Sequence, residues 1–227
     1  MHIFVIGGTG RNGSLAVHEA LSRGHTVTAL VRNPSTATLA SHPSLTLIKG
    51  TPTSKADIVA ALTTTQPPQA IITTLSQART SDSPFAPLRP DTTPDLLSAS
   101  MRALLAAISE ANLPTPPKLV INSSQGVGSS WRSMNLPTKA IFSHGTMALG
   151  LKDHDELDQI VRNSGLPFVS PRPCMLKEGD VKPVKVWPED GKGCPWMPMI
   201  TRGSVGKWLV DAAESNEWDG TAPVITN

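Results

Sequence analysis

The chain has 227 residues, 39% hydrophobic and 17% charged, with 20 basic against 18 acidic side chains and a formal net charge of +2. That length fits one domain, the apolar content excludes wholesale disorder, and the charge balance excludes a basic field that would hold nucleic acid. Cys174 and Cys194 have no metal-ligand spacing, no apolar run nears the roughly 20 residues of a membrane span, and no secretory signal opens the chain, so a cytoplasmic protein is expected, monomeric or homodimeric, with no metal and no membrane partner.

Residues 2–6 read as a short buried strand that runs into Gly7-Gly8-Thr9-Gly10-Arg11-Asn12-Gly13. A helix follows, with Leu15, Val17, Ala20 and Leu21 on an apolar stripe and Gly24 as its stop. Residues 26–31 are a β-branched strand; Asn33-Pro34 breaks the chain, and a short helix is expected up to Ala40. Strand 45–48, a helix from Thr53 or Ser54 to about Leu62, and strand 69–73 come next. Residues 74–94 are polar and hold Pro84, Pro87, Pro90 and Pro94, which reads as a long loop. Helix 96–111, strand 118–122, a helix over about 147–164, strand 167–171, helix 204–215 and a last strand at 223–226 complete the order.

Alternating strands and helices predict a doubly wound α/β fold of Rossmann type, a mostly parallel sheet with helices on both faces. Ligands of such sheets bind beyond the carboxyl ends of the strands, where strand order reverses. The segments 74–94, 123–146 and 173–200 each follow a strand, so they are expected to gather there and form the substrate pocket of a single domain spanning 1–227.

Gly8-x-Gly10-x-x-Gly13 sits after a strand and opens a helix. Glycines there permit a tight turn and close approach of main chain to a pyrophosphate, and the helix N-terminus supplies amide donors. The predicted cradle is Gly8, Thr9, Gly10, Arg11, Asn12 and Gly13. An NAD site usually carries an acid about 20 residues on, for the ribose 2′-hydroxyl. Here the second strand ends in Val31-Arg32-Asn33, and Arg32 would pair with a 2′-phosphate, aided by Arg11. NADP is therefore the expected cofactor. Thr73, Thr74 and Leu75, at the end of the fourth strand, are expected on its adenine or ribose side.

The opening Ile6-Gly7-Gly8-Thr9-Gly10-Arg11-Asn12-Gly13, the stretch Leu30-Val31-Arg32-Asn33-Pro34, and Arg162-Asn163-Ser164-Gly165-Leu166-Pro167 leading to Pro171-Arg172-Pro173 resemble the atypical short-chain dehydrogenase/reductases. The branch they resemble is the NAD(P)H-binding, NmrA-like group with the flavin and biliverdin reductases. The resemblance implies a Rossmann fold, an NADP cofactor and a small planar, conjugated substrate. Common short-chain dehydrogenases use a Tyr-x-x-x-Lys pair and an upstream serine. By that resemblance Lys152 takes the lysine place and would hold the nicotinamide ribose, Ala148 stands where the tyrosine belongs, and Ser123-Ser124 take the serine place. The chain contains no tyrosine at all.

A simple ketone needs a proton delivered to its developing alkoxide, whereas a flavin, quinone, tetrapyrrole or enone delocalises its anion and needs less help. The missing phenol therefore points to a conjugated acceptor. His154, which resembles a histidine of the flavin/biliverdin reductase branch, is the first alternative acid, since histidine titrates near neutrality. Against it stands its place in the polar run Lys152-Asp153-His154-Asp155-Glu156, which also reads as a solvated helix face; His144 has the same standing. Pro173 and Cys174 are expected at the nicotinamide as wall residues. Trp131, Met134, Phe142, Trp187, Trp196, Met197 and Met199 suit a pocket for a flat hydrophobic or aromatic ligand, or equally loop anchors or a dimer contact. Two other readings stay open: a non-redox isomerase or cyclase that keeps the cofactor as a wall, and an NADP-binding redox-sensing regulator.

Overall fold

Residues 1–227 are described by a computed structural model. Six parallel strands form the central sheet: β1 (His2–Ile6), β2 (Thr26–Val31), β3 (Leu45–Lys49), β4 (Ala70–Thr73), β5 (Lys118–Ile121) and β6 (Phe168–Val169), in the order β3-β2-β1-β4-β5-β6. Their side chains alternate between two apolar layers, as strands covered on both faces require. Ile3 and Val5 of β1 join Val27, Ile72 and Val120 under α1 (Arg11–Ser22), while Phe4 and Ile6 join Leu30, Ile71 and Leu119 under α2 (Lys55–Thr64) and α3 (Leu96–Ala111). Strand order reverses between β1 and β4, where Ile6 pairs with Leu30 on one side and Thr73 on the other. That reversal puts the glycine loop, which leaves β1 at Ile6, at the crevice of the sheet.

The later half is more structured than its proline content suggests. Between β5 and the long fifth helix lie a 3₁₀ turn at Gly128–Ser133 and α4 (Leu136–Phe142). The start of α4 was written in the sequence: Asn135 accepts a hydrogen bond from the Thr138 amide at 2.9 Å, and Pro137 sits in the first turn. Helix α5 (Gly145–Arg162) begins two residues earlier than expected. Residues 173–200 are not irregular throughout: after β7 (Arg172–Pro173) they carry β8 (Met175–Lys177), β9 (Lys185–Trp187) and β10 (Met199–Thr201). Helix α6 (Arg202–Glu214) packs beside α1, and β11 (Val224–Thr226) lies between β7 and β9 in a small sheet of its own. The helix expected up to Ala40 is one 3₁₀ turn, Pro34–Thr36, because the Asn33 side chain captures the Ser35 amide and closes a local turn.

Arg172 ties these parts together. Its guanidinium is 1% exposed, reaches Asp158 of α5 at 3.3 Å and donates to the Glu189 carbonyl at 3.0 Å. The Arg-Pro pair that marks the family resemblance thus serves as a buried brace between β7, α5 and the late loop.

Candidate active site

The glycine loop is built by exclusion. Gly7 has φ +86°, and a Cβ on Gly13 would stand 2.2 Å from the Gly7 carbonyl oxygen. No side chain fits at either position, and the main chain stays bare for a ligand to approach. Gly10 is the N-cap of α1 and offers no side-chain cap, which leaves the first amides of the helix to a ligand. Thr74 braces the turn by donating to the Gly7 carbonyl at 3.0 Å. The glycines that shape the turn and bare its main chain are therefore Gly7, Gly10 and Gly13. Gly8 is buried behind the loop, where a Cβ would meet Val5 and Val17 at 3.3 Å, so its part is packing; Thr9 is exposed.

A cleft of about 590 Å³ runs from this loop along the carboxyl edge of the sheet. Gly10, Arg11, Asn12, Thr74, Leu75, Ser123, Ser124, His154, Pro173 and Cys174 all line it, out of the residues expected at the site. Arg202 lines it too, a residue that the sequence reading passed over; it donates from Nη1 to Asn12 Oδ1 at 2.9 Å across 190 positions, which no local signal announces. With Arg79, the charged lining is three arginines against Asp82 alone, a balance that suits a dianionic pyrophosphate.

Loop 74–94 folds back over this edge and places carboxylates on both predicted phosphate-binding arginines. Asp82 meets Arg11 at 3.0 Å, and Asp91 meets Arg32 at 3.2 Å and Arg89 at 3.1 Å. Partial desolvation opposes it, but the Arg32 hydrogen bond and the Arg89 charge hold the Asp91 carboxyl below the usual range. Arg32 itself is exposed at the end of β2 and lies outside the cleft lining. The acid missing from the end of β2 in sequence is thus supplied from 59 residues away.

Helix α5 sorts the polar run one residue at a time. Asp153 is buried and caps α3, accepting from the Leu97 and Ser98 amides at 2.8 and 2.9 Å. Asp155 accepts from the Gly128 amide at 2.7 Å, and Glu156 pairs with Arg102 at 2.6 Å. His154 turns to the cleft, on the same face as Met147, Gly150 and Leu151, at the i, i+3, i+4, i+7 spacing of one helical side. Lys152 falls off that face: it is exposed and does not line the cleft. The role given to Lys152 is corrected by helix phase, since a residue two positions before His154 points about 200° away. The pair on the working face at i, i+4 is Gly150 and His154, not Ala148 and Lys152. His144 sits at the N-cap of α5, exposed, with Nδ1 on the Ala140 carbonyl, outside the cleft.

His154 also departs from its expected titration. Burial pushes its pKa down to about 4, against the pull of Asp153 and Asp158, so the ring is neutral at pH 7. A neutral imidazole donates a hydrogen bond but is no imidazolium acid. Ser123 is buried, its hydroxyl without a protein partner, while the Ser124 hydroxyl is spent on the Gln125 carbonyl at 3.0 Å. Thr73 lies beneath the cleft, on a small cavity that also touches His154. Cys174 and Cys194 are free thiols with sulfurs 4.0 Å apart; the contact with Cys194, together with burial, raises the Cys174 pKa and keeps it protonated, as a wall residue rather than a nucleophile. Of the aromatic and sulfur side chains expected in the pocket, Met134 and Phe142 line it. Trp131, Trp187, Trp196, Met197 and Met199 do not; Trp187 is held by Thr226 at 2.9 Å, and Trp196 is 69% exposed.

A parallel sheet in this order, a glycine loop at the first crossover and a cleft at the reversal define a dinucleotide-binding α/β protein. The sequence profile of the NAD(P)H-binding family matches residues 7–216, and the chain belongs to that family. A search of curated protein sequences finds no match. Among solved structures, the fold is similar to that of ChuY, an anaerobilin reductase from Escherichia coli O157:H7, at TM-score 0.77 and 17% identity over 100% of this chain and 97% of the other. It is similar at TM-score 0.76 and 14% identity to a short-chain dehydrogenase/reductase from Veillonella parvula DSM 2008 in complex with NADP, covering 100% and 94%. A Rossmann-fold NAD(P)-binding family protein from Shigella flexneri follows at TM-score 0.69 and 15% identity, covering 100% and 93%. No helix is long and apolar enough to cross a membrane.

Proposed function

We propose that the chain is an NADPH-dependent reductase of a small planar conjugated acceptor, acting without a phenol. The observation that carries the reading is one continuous cleft. It joins the glycine cradle to an acceptor end walled by Met134, Phe142, Pro173 and Cys174, where a neutral imidazole faces the ligand and no tyrosine exists in the chain. Bound there, NADPH supplies a hydride. Gly7, Gly10 and Gly13 leave the main chain open to the pyrophosphate, and Arg11, Asn12 and Arg202 surround it. Arg32, freed from Asp91, takes the 2′-phosphate. The apolar wall holds a flat acceptor and excludes water, and Ser123 and His154 donate hydrogen bonds to the oxygen or nitrogen that gains charge. A hydrogen-bond donor without an acid suffices for an acceptor that spreads its anion over a conjugated system. The solved structures support the reading in that one fold of this kind belongs to an anaerobilin reductase and another carries NADP. The two free thiols fit a reducing, cytoplasmic setting, with the chain a monomer or homodimer.

The test is NADPH consumption against flavins, quinones, enones and simple ketones, with product masses. Conjugated acceptors are expected to gain two hydrogens and to be turned over best. An isolated aliphatic ketone as best substrate, or a product of unchanged mass without NADPH loss, overturns the proposal.

A further inference from the structure

A second, much smaller cavity of about 10 Å³ lies beneath the cleft, among β4, β5, α3 and α5. Its walls are mostly apolar: Leu97, Met101, Leu104 and Leu157 among them. Four polar residues break that lining, Thr73, Ser100, Asn122 and His154, and three of them carry unpartnered atoms. Ser100 Oγ, Asn122 Oδ1 and His154 Nδ1 are all sealed from solvent, and none has a hydrogen-bond partner within the protein. A buried polar atom left alone forfeits its hydration with nothing in return, and few are tolerated in a folded chain. Three in one small cavity, from α3, α5 and the residue after β5, point to a shared partner. The volume is at the roughly 10–15 Å³ that one water needs, and three polar partners is the usual number for a buried water.

We infer that Ser100 and Asn122 hold a structural water against Nδ1 of His154, and that this water fixes the tautomer carrying its proton on Nε2, toward the cleft. The valences close. Asn122 Oδ1 only accepts. The Ser100 hydroxyl, which takes no backbone carbonyl of its own helix, donates to the water. The two water hydrogens then go to Asn122 Oδ1 and His154 Nδ1. With Nδ1 occupied as an acceptor, the ring proton resides on Nε2, the nitrogen left to the cleft. Without the water, either tautomer leaves a stranded Nδ1, and every ring protonated there would present a bare acceptor to the substrate. Asp153 supports the arrangement from the next position, because its cap on α3 fixes the distance between the helix that carries Ser100 and the helix that carries His154. Ser100 and Asn122 are on this account positioning residues that act through His154, although Asn122 also reaches the cleft lining.

The inference rests on the reading of His154 as the donor to the acceptor, but its test does not require turnover. Nitrogen-15 spectra of the histidine rings in the whole chain, assigned with His154→Gln, read the tautomer directly. The wild type is expected to show an unprotonated Nδ1 and a protonated Nε2 on His154 at neutral pH. Ser100→Ala and Asn122→Ala are each expected to mix the tautomers, and, where an acceptor is turned over, Ser100→Ala, at a residue off the cleft, is expected to lower kcat about tenfold with KM for NADPH unchanged. A crystal structure of the apo chain at high resolution is expected to show one water bonded to the three atoms. Protonated Nδ1 in the wild type, a dry cavity, or variants that lose thermal stability while the tautomer stays put each overturn the inference. If the tautomer stands and nothing is reduced, the reductase reading alone has failed.

Discussion

The two ends of the cleft are made by different means. The glycine end is main chain, contiguous in sequence, and enforced by contacts that admit no Cβ. The acceptor end is side chains, drawn from the segment after β5, from α4 and α5 and from the stretch around β7, with supports that come from far away in the chain. The first kind of site admits no side chain at Gly7 or Gly13 and takes one brace, from Thr74. The second tolerates many but relies on its supports, such as Asp153 for His154 and Arg172 for the wall at Pro173 and Cys174.

The largest effect is expected at the first end. Gly13→Ala places a Cβ 2.2 Å from the Gly7 oxygen, so the turn must open; cofactor affinity, measured by titration, should fall roughly a hundredfold. If affinity survives, the cradle is not where the contrast locates it. At the other end, His154→Gln should leave cofactor binding intact and cut kcat about a hundredfold. The same variant sharpens the contrast through acid stability. The folded pKa of about 4 lies below the ordinary 6.5, so between those values the unfolded chain binds the extra proton. Stability is full above pH 6.5 and is lost as the pH falls toward 4, by up to about 3 kcal/mol. Denaturant melts should show that loss in the wild type and less of it in His154→Gln; what remains includes His2, which burial shifts the same way.

Arg32→Ala should weaken NADP about tenfold and leave NAD unchanged, since only the 2′-phosphate needs the guanidinium. Asp91→Asn should do the reverse, strengthening NADP a few-fold by removing the carboxylate that competes for Arg32. The smallest effect is reserved for Lys152→Ala: an exposed side chain off the working face should change kcat and KM by less than about twofold. A large loss there would restore the lysine role and undo the helix phase argued above.

Legibility follows the same division. The sheet, its order of elements and the glycine loop were readable because strand alternation and a contiguous motif are local properties. Even so, Gly7 went unread, since its positive φ and its contact with Thr74 are visible only in the folded turn. The polar run at 152–156 could not be parsed before the phase of α5 was known. One register puts Asp153 on α3 and His154 in the cleft; a slip of one residue exchanges their neighbours. Asp91 beside Arg32 and Arg202 beside Asn12 had no trace in sequence, because both are made by folding alone.

The carboxylates of loop 74–94 carry one last consequence. Two bare arginines would draw a phosphorylated nucleotide from a distance and release it readily as ionic strength rises. Here each guanidinium already holds an anion from its own chain. On the proposed reading an arriving phosphate would trade places with Asp82 or Asp91, and added electrolyte weakens the exposed resident pair along with the incoming one. Nucleotide binding in this protein should accordingly weaken less steeply with salt than two unpaired arginines would make it.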